Sequence, residues 1–91
     1  MTYHLVFTAT YGKHEAKFLK KHPELKSQYA KTLKVLEAAP SHPSLRLHRL
    51  KGRLKDLHSV SINMSYRITL EFYIDEEDII LVNVGHHREV Y

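Results

Sequence analysis

Residues 66–74 alternate between apolar and polar side chains without interruption, and this pattern constrains the fold more than any other feature. The alternation joins two sets of four residues: Ile68, Leu70, Phe72 and Ile74, and Arg67, Thr69, Glu71 and Tyr73. Successive side chains of a strand point to opposite faces of a sheet. The pattern therefore predicts a strand of an antiparallel sheet, with one face packed under helices and an open polar face that carries Arg67.

Two amphipathic helices are predicted in the first half of the chain. Residues 3–9 are expected to form a short strand, and Thr10 is the expected N-cap of a helix over residues 11–22. Pro23 suits the first position of a second helix. Apolar residues of that helix recur with the helical period, and they are Leu25, Tyr29, Leu33 and Leu36. The two helices are therefore predicted to form a hairpin.

Two further strands flank the alternating one, over residues 57–62 and Ile79–Val84. The residues expected to face the core from these two strands are Val60, Ile62, Ile80, Val82 and Val84. Their connections are too short for a crossover, so the three strands must pair antiparallel. The predicted fold class is α+β, with an N-terminal strand, a two-helix antiparallel hairpin and a three-stranded antiparallel meander in a single domain over residues 1–91.

Charge is concentrated in the segment before the first strand of the meander. Residues 45–58 carry five Lys and Arg against one Asp, a net of +4, and the whole 91-residue chain also has a net charge of +4. Such a segment is typical of a protein with a polyanionic partner, and a solvated basic loop is the other interpretation. The chain has no Cys, and no apolar run approaches the roughly 20 residues of a membrane helix. We expect a soluble, cytoplasmic protein.

Several polar residues are expected to gather near Arg67. A guanidinium fork binds phosphate oxygens and stays charged, so Arg67 suits the stabilisation of a phosphorane-like transition state. The imidazoles of His48 and of either His86 or His87 are candidates for proton transfer. Since His86 and His87 are adjacent, continued strand geometry would point them to opposite faces. Tyr91 either caps the core or stacks on a base.

Other chemistries are disfavoured by the spacing of the candidate residues. The eight His residues include no HxxxH pair on a helix and no carboxylate at ligand spacing, so we predict no metal site. Ser59 and Ser61 lack an adjacent base and acid, which argues against a serine nucleophile.

The sequence resembles the RelE/ParE superfamily of bacterial toxins in three places. These are the LxxHRLKG stretch at residues 45–52, the YRI of residues 66–68 and the VxVGHHREVY at residues 82–91. Within the superfamily the resemblance is to the RelE-, YoeB- and YafQ-like ribosome-dependent mRNA endonucleases. It implies a toxin that cleaves mRNA in the ribosomal A site and is neutralised by a cognate antitoxin protein.

The resemblance also implies roles for individual residues. Arg67 matches the arginine of the third strand, Tyr91 the terminal aromatic, His87 the histidine four residues before it, and His48 the histidine of an HxLxG stretch. Phosphates of the RNA would be held by a basic group made up of Arg49, Lys51, Arg53 and Lys55. The attacking group would be a ribose 2′-OH of the substrate itself, so this route needs neither metal nor cofactor.

The chain departs from its relatives at the expected general base. Ser61 and Ser65 stand where YafQ-like enzymes carry a histidine and an aspartate, and the YoeB-like glutamate has no counterpart. Two alternatives therefore remain open: a ParE-like inhibitor of DNA gyrase that cuts nothing, and a non-catalytic RNA-binding or interaction domain.

Overall fold

A computed structural model of the chain describes residues 2–52, 56–73 and 76–90. The elements in chain order are β1 (His4–Phe7), α1 (Ala9–Lys21), α2 (Lys26–Ala38), β2 (His48–Arg49), β3 (His58–Ser61), β4 (Tyr66–Tyr73), β5 (Asp78–His86) and α3 (His87–Val90). Short 3₁₀ turns at Pro23–Leu25 and Pro43–Leu45 precede α2 and β2. The α+β prediction is confirmed.

The strands form one five-stranded sheet in the order β1-β5-β4-β3-β2. The predicted meander is its centre, because β3, β4 and β5 pair antiparallel. No partner for the N-terminal strand is predicted from the sequence. In the structure β1 pairs parallel with β5, from His4 opposite Asp78 to Phe7 opposite Leu81. The basic segment adds β2 at the other edge, antiparallel to β3.

Helix α1 begins two residues earlier than predicted. Thr8, and not Thr10, is the N-cap, because its Oγ1 accepts the backbone N–H of Tyr11 (3.1 Å). A threonine oxygen in this position satisfies one of the unpaired donors of the first turn. Helix α2 also differs at its start, since Pro23 opens the 3₁₀ turn and α2 follows from Lys26.

A buried chain of hydrogen bonds links α1 to α2. Tyr29 Oη donates to Glu15 Oε2 (2.7 Å), and Tyr11 Oη lies 2.7 Å from Tyr29 Oη. Since the proton of Tyr29 is used on the carboxylate, Tyr11 is the donor in the pair of hydroxyls. Burial raises the pKa of both tyrosines above the ordinary 10.0, so both remain protonated donors.

The prediction for β5 is wrong in its first half. Ile79 and Leu81 are buried, where Ile80 and Val82 had been expected to face the core, and only Val84 lies inward as predicted. The cause is a β-bulge: Thr69 pairs with Asn83, but the next residue of β4, Leu70, pairs with Leu81. One extra residue in β5 reverses the direction of every side chain beyond it.

The apolar face of β4 packs into the core as predicted. Ile68 and Leu70 are fully buried together with Val60 and Ile62 of the neighbouring segment. The opposite face is not open, which corrects the sequence-based expectation. Ser59 and Thr69 are buried and Ser61 is 9% exposed. Short side chains flanked by longer ones expose little area, and Arg67 on the same face is itself partly buried.

Leucines fix the basic segment to the body of the protein as expected. Leu45 and Leu50 are buried, and Leu47 packs against the core. No described helix combines the length and the apolar character that crossing a bilayer would require.

Candidate functional site

Arg67 lies on the polar sheet face, as the second residue of the middle strand β4. Strand pairing places it between Ser61 of β3 and Gly85 of β5, so one flanking position carries no side chain. Its Nη1 atom is buried and has no hydrogen-bond partner among the described residues. A buried donor without a partner is destabilising, and a guanidinium binds oxyanions through parallel N–H groups. The surroundings of Arg67 therefore favour an anion against this face.

His48 lies on the same face as Arg67, two strands away. It pairs with Ser59, and Ser59 pairs with Thr69, two residues beyond Arg67. Ideal strand spacings put the Cα atoms of His48 and Arg67 about 12 Å apart. The exposed ring places Nδ1 at 3.2 Å from the carbonyl oxygen of Arg46. A carbonyl only accepts, so Nδ1 carries the hydrogen and Nε2 of the neutral ring is a proton acceptor.

Ser61 and Ser65 hold the turn between β3 and β4. Ser61 Oγ donates to the carbonyl of Asn63 (2.6 Å). Asn63 Oδ1 accepts the backbone N–H groups of Ser65 (2.8 Å) and Tyr66 (2.9 Å). These bonds close an Asx-type turn. The hydroxyl of Ser61 is thus engaged in local structure.

The strand geometry that would have pointed His86 and His87 to opposite faces does not continue past His86. Strand β5 ends at His86 and α3 begins at His87, so the alternation of strand geometry stops between them. Their ring centroids are 4.3 Å apart. The backbone N–H of His87 donates to the carbonyl of Ser65 (3.0 Å), which anchors α3 beside the start of β4.

His86 and His87 differ in their neighbours. The ring of His86 packs edge-on against Tyr66 at 5.7 Å, and its Nδ1 accepts the backbone N–H of Arg88 (3.2 Å). Tyr66 is opposite His86 in the β4–β5 ladder, on the face that carries Ile68. His86 therefore lies on the helix side of the sheet, away from Arg67.

The structure describes two of the predicted phosphate-binding residues, Lys51 and Arg49, and the two differ in position. Lys51 is exposed after β2, whereas Arg49 is opposite His58 in the ladder and so lies on the other face from His48. Three predicted residues, Arg53, Lys55 and Tyr91, lie outside the described residues.

His58 was not singled out in the sequence, yet it is the histidine whose environment is most distinctive. Its Nδ1 is buried without a partner among the described residues, and its ring contacts Phe72 at 5.9 Å. Burial, followed by the nearby Arg49 and His48, lowers the pKa of His58 below the ordinary 6.5. Its position in the strand pattern, opposite an apolar residue of β4, is the signal that identifies it as an inward-facing histidine.

Within the described ranges, no three His, Asp or Glu side chains are grouped closely enough to hold a metal ion. Arg67 and His48 are the guanidinium and the imidazole that the described structure puts on one sheet face, with Cα atoms about 12 Å apart. A guanidinium binds oxyanions and an imidazole transfers protons.

No protein-family model and no curated protein sequence matches this chain. Solved structures do. The DinJ–YafQ toxin–antitoxin complex from E. coli matches with a TM-score of 0.77 at 13% identity, over 100% of this chain and 99% of that chain. The toxin–antitoxin complex RelBE2 from Mycobacterium tuberculosis gives 0.75 at 19% identity, over 96% and 100%. The YoeB–YefM complex from Staphylococcus aureus gives 0.70 at 15% identity, over 96% and 99%.

The chain has the RelE-like toxin fold. The resemblance inferred from the sequence motifs is thus confirmed for the architecture. At identities this low the similarity establishes the fold, and function has to be argued from the site.

Proposed function

We propose that this chain is the toxin of a type II toxin–antitoxin system, acting in the cytoplasm as a metal-independent endoribonuclease on mRNA in the ribosomal A site. The observation that carries the proposal is Arg67, with a buried and unpartnered Nη1 on a sheet face that also holds His48. The RelE-like fold supports the same reading, because solved relatives are toxins in toxin–antitoxin complexes. A cognate antitoxin is the corresponding protein partner.

The reaction is attack of a ribose 2′-oxygen on the adjacent phosphorus. The 2′-O–P bond forms and the P–O5′ bond breaks, which leaves a 2′,3′-cyclic phosphate and a 5′-hydroxyl. One group must take the proton of the 2′-OH and another must protonate the leaving 5′-oxygen. The phosphorane between them carries additional negative charge.

In this scheme His48 and His87 are the candidates for proton transfer, and His48 shares the sheet face of Arg67. The Nδ1–H of His48 is oriented by the Arg46 carbonyl, which leaves Nε2 as the acceptor. His87 is held at the start of α3 by the bond from its backbone to Ser65. Arg67 stabilises the phosphorane, and it lies on the polar face between the two other strands of the meander.

The remaining residues bind the substrate. Tyr91 stacks on a base beside the scissile phosphate. Lys51, Arg53 and Lys55 hold neighbouring phosphates of the strand. Arg49, which points to the other face, adds to the attractive potential of the segment.

The experiment that tests this function adds the purified protein to ribosomes that are translating a defined mRNA. Primer extension maps the cut, and end analysis of the fragments identifies the termini. We expect cuts in the A-site codon, with a 2′,3′-cyclic phosphate on the upstream fragment and a 5′-hydroxyl on the downstream one. Intact mRNA together with inhibition of gyrase supercoiling would assign the chain to the gyrase inhibitors instead.

A further inference from the structure

A cleft of about 220 Å³ opens between the second half of α1 and the end of β5. It forms because β1 ends opposite Leu81, so the edge of β5 beyond that residue has no described strand beside it. At this edge the side-chain oxygen of Asn83 accepts the backbone N–H of Val84 (2.8 Å), which a neighbouring strand would otherwise bind. The cleft is on the helix side of the sheet, whereas Arg67 is on the other face.

The lining of the cleft is basic. Lys17 and Lys21, four residues apart on α1, contribute two ammonium groups, and the imidazoles of His14, His22 and His86 line it as well. No described lining residue is acidic. Two positive charges beside N–H donors in a concave surface produce a positive potential that attracts anions.

Two of the imidazoles are held in place before any ligand binds. The ring of Tyr66 lies between them, 4.6 Å from the ring of His22 and 5.7 Å from that of His86. Because His86 Nδ1 accepts the N–H of Arg88, the hydrogen of the neutral ring is on Nε2, which is a donor. His22 Nδ1 lies 3.5 Å from the carboxylate of Glu24, a side chain that is 65% exposed.

We propose that this cleft is an anion site that takes a phosphate group, with Lys17 and Lys21 supplying the charge and His86 supplying an oriented donor. Its volume equals that of about seven waters at ~30 Å³ each, which is enough for a phosphate and part of its hydration. The phosphate belongs either to a small free compound or to an RNA backbone. Binding of a phosphate group in this cleft does not depend on RNA cleavage, so it can be tested whether or not the chain is a nuclease.

The test is a titration of the ¹⁵N-labelled protein followed by NMR, with two probes. One probe is inorganic phosphate, compared with chloride at matched ionic strength. The other is a short 2′-O-methyl oligoribonucleotide, which cannot be cleaved by 2′-OH attack. We expect saturable shifts of the Val84 and Gly85 amides and of the His22 and His86 ring signals.

Two double variants of α1 provide the matched comparison. Lys17→Gln/Lys21→Gln removes both cleft lysines and should weaken binding roughly fivefold or more. Lys13→Gln/Lys20→Gln makes the same charge change on the same helix, away from the cleft lining, and should leave binding near the unmutated level. Saturation by phosphate supports a site for free phosphate, and saturation by the oligonucleotide alone supports a phosphodiester site. Saturation by neither probe, or equal weakening by both double variants, would overturn the proposal.

Discussion

At Arg67 the protein keeps a guanidinium partly buried without giving its Nη1 a partner in the described structure. The neighbouring residues do not compensate, because Ser61 donates to Asn63 and the facing Gly85 has no side chain. Glu71, the acid on the same strand face, instead accepts a hydrogen bond from Tyr73 Oη (2.7 Å). Glu71 is also four residues away along β4, roughly 13 Å at ideal spacing, which is too far for a direct ion pair with Arg67. A bound phosphate would supply the partner that Arg67 Nη1 lacks among the described residues.

The Tyr11–Tyr29–Glu15 chain makes a prediction about stability. Tyr29→Phe removes both the acceptor of the Tyr11 hydroxyl and the donor to Glu15, and it leaves the fully buried Tyr11 with an unsatisfied O–H. We expect a loss of about 1–3 kcal/mol in the free energy of unfolding, measured by urea denaturation. Tyr73→Phe, at an exposed tyrosine that also bonds a glutamate, is the matched control and should change stability little. Equal losses in the two variants would contradict the account.

His58 makes a prediction about pH. Its pKa is lowered in the folded protein, so the unfolded chain binds the proton more readily. The stability contributed by neutral His58 is therefore complete above the unfolded value, which is ordinarily 6.5, and is lost as the pH falls below it. We expect the urea midpoint to fall on acidification from neutral pH by less in His58→Gln than in the unmutated protein. An equal fall of the midpoint in His58→Gln and in the unmutated protein would contradict this account.

At the scale of single elements, the N-cap of α1 is Thr8 in the structure, whereas the sequence predicted Thr10. Thr8→Ala removes the oxygen that accepts the Tyr11 N–H and should cost about 1 kcal/mol of unfolding free energy. Thr10→Ala alters a residue already inside the first turn, where alanine is the better helix former, and should cost nothing. Chemical denaturation of both variants is the measurement. A larger loss in Thr10→Ala would restore the N-cap predicted from the sequence.

The elements also show how far the sequence could predict the fold. Period-2 alternation in β4 and helical spacing in α2 depend on local geometry, and both predictions are confirmed. The bulge in β5 adds one residue without any Gly or Pro to mark it, so the pattern of alternation gave the wrong core residues there. The parallel pairing of β1 with β5 joins residues more than seventy positions apart, and no local pattern contains that information.

The candidate site could also be predicted only in part, because some of its positions depend on local patterns and others on pairing between distant strands. Strand alternation was enough to put Arg67 on the polar face, whereas the face of His48 depends on the pairing of β2 with β3, which the sequence did not predict. The closeness of the His86 and His87 rings could not be predicted from the sequence, because it depends on where β5 ends and α3 begins. The cleft between α1 and β5 depends on where β1 stops, and its lysines appeared in the sequence only as part of an exposed helix face.

At the scale of the whole molecule, the sheet separates two basic surfaces. One face carries Arg67 and His48, and the helix side carries the cleft lined by Lys17 and Lys21. Both surfaces meet near the end of β5, where Gly85 is opposite Arg67 and His86 borders the cleft. The proposed phosphate contact of Arg67 and the proposed anion site in the cleft lie on opposite faces, so variants on the two faces should affect different measurements.

The most direct test of the central claim is the single-turnover rate of mRNA cleavage on ribosomes by Arg67→Gln, with the unfolding free energy measured on the same sample. We predict a rate about 10²–10³-fold below that of the unmutated protein, because the phosphorane loses its charged donors. Stability should be unchanged or slightly higher, because a buried unpartnered donor is removed. His4→Gln, on the strand at the far edge of the sheet from His48, is the control and should cleave at the unmutated rate. Cleavage by Arg67→Gln within a few-fold of the unmutated rate would contradict the account.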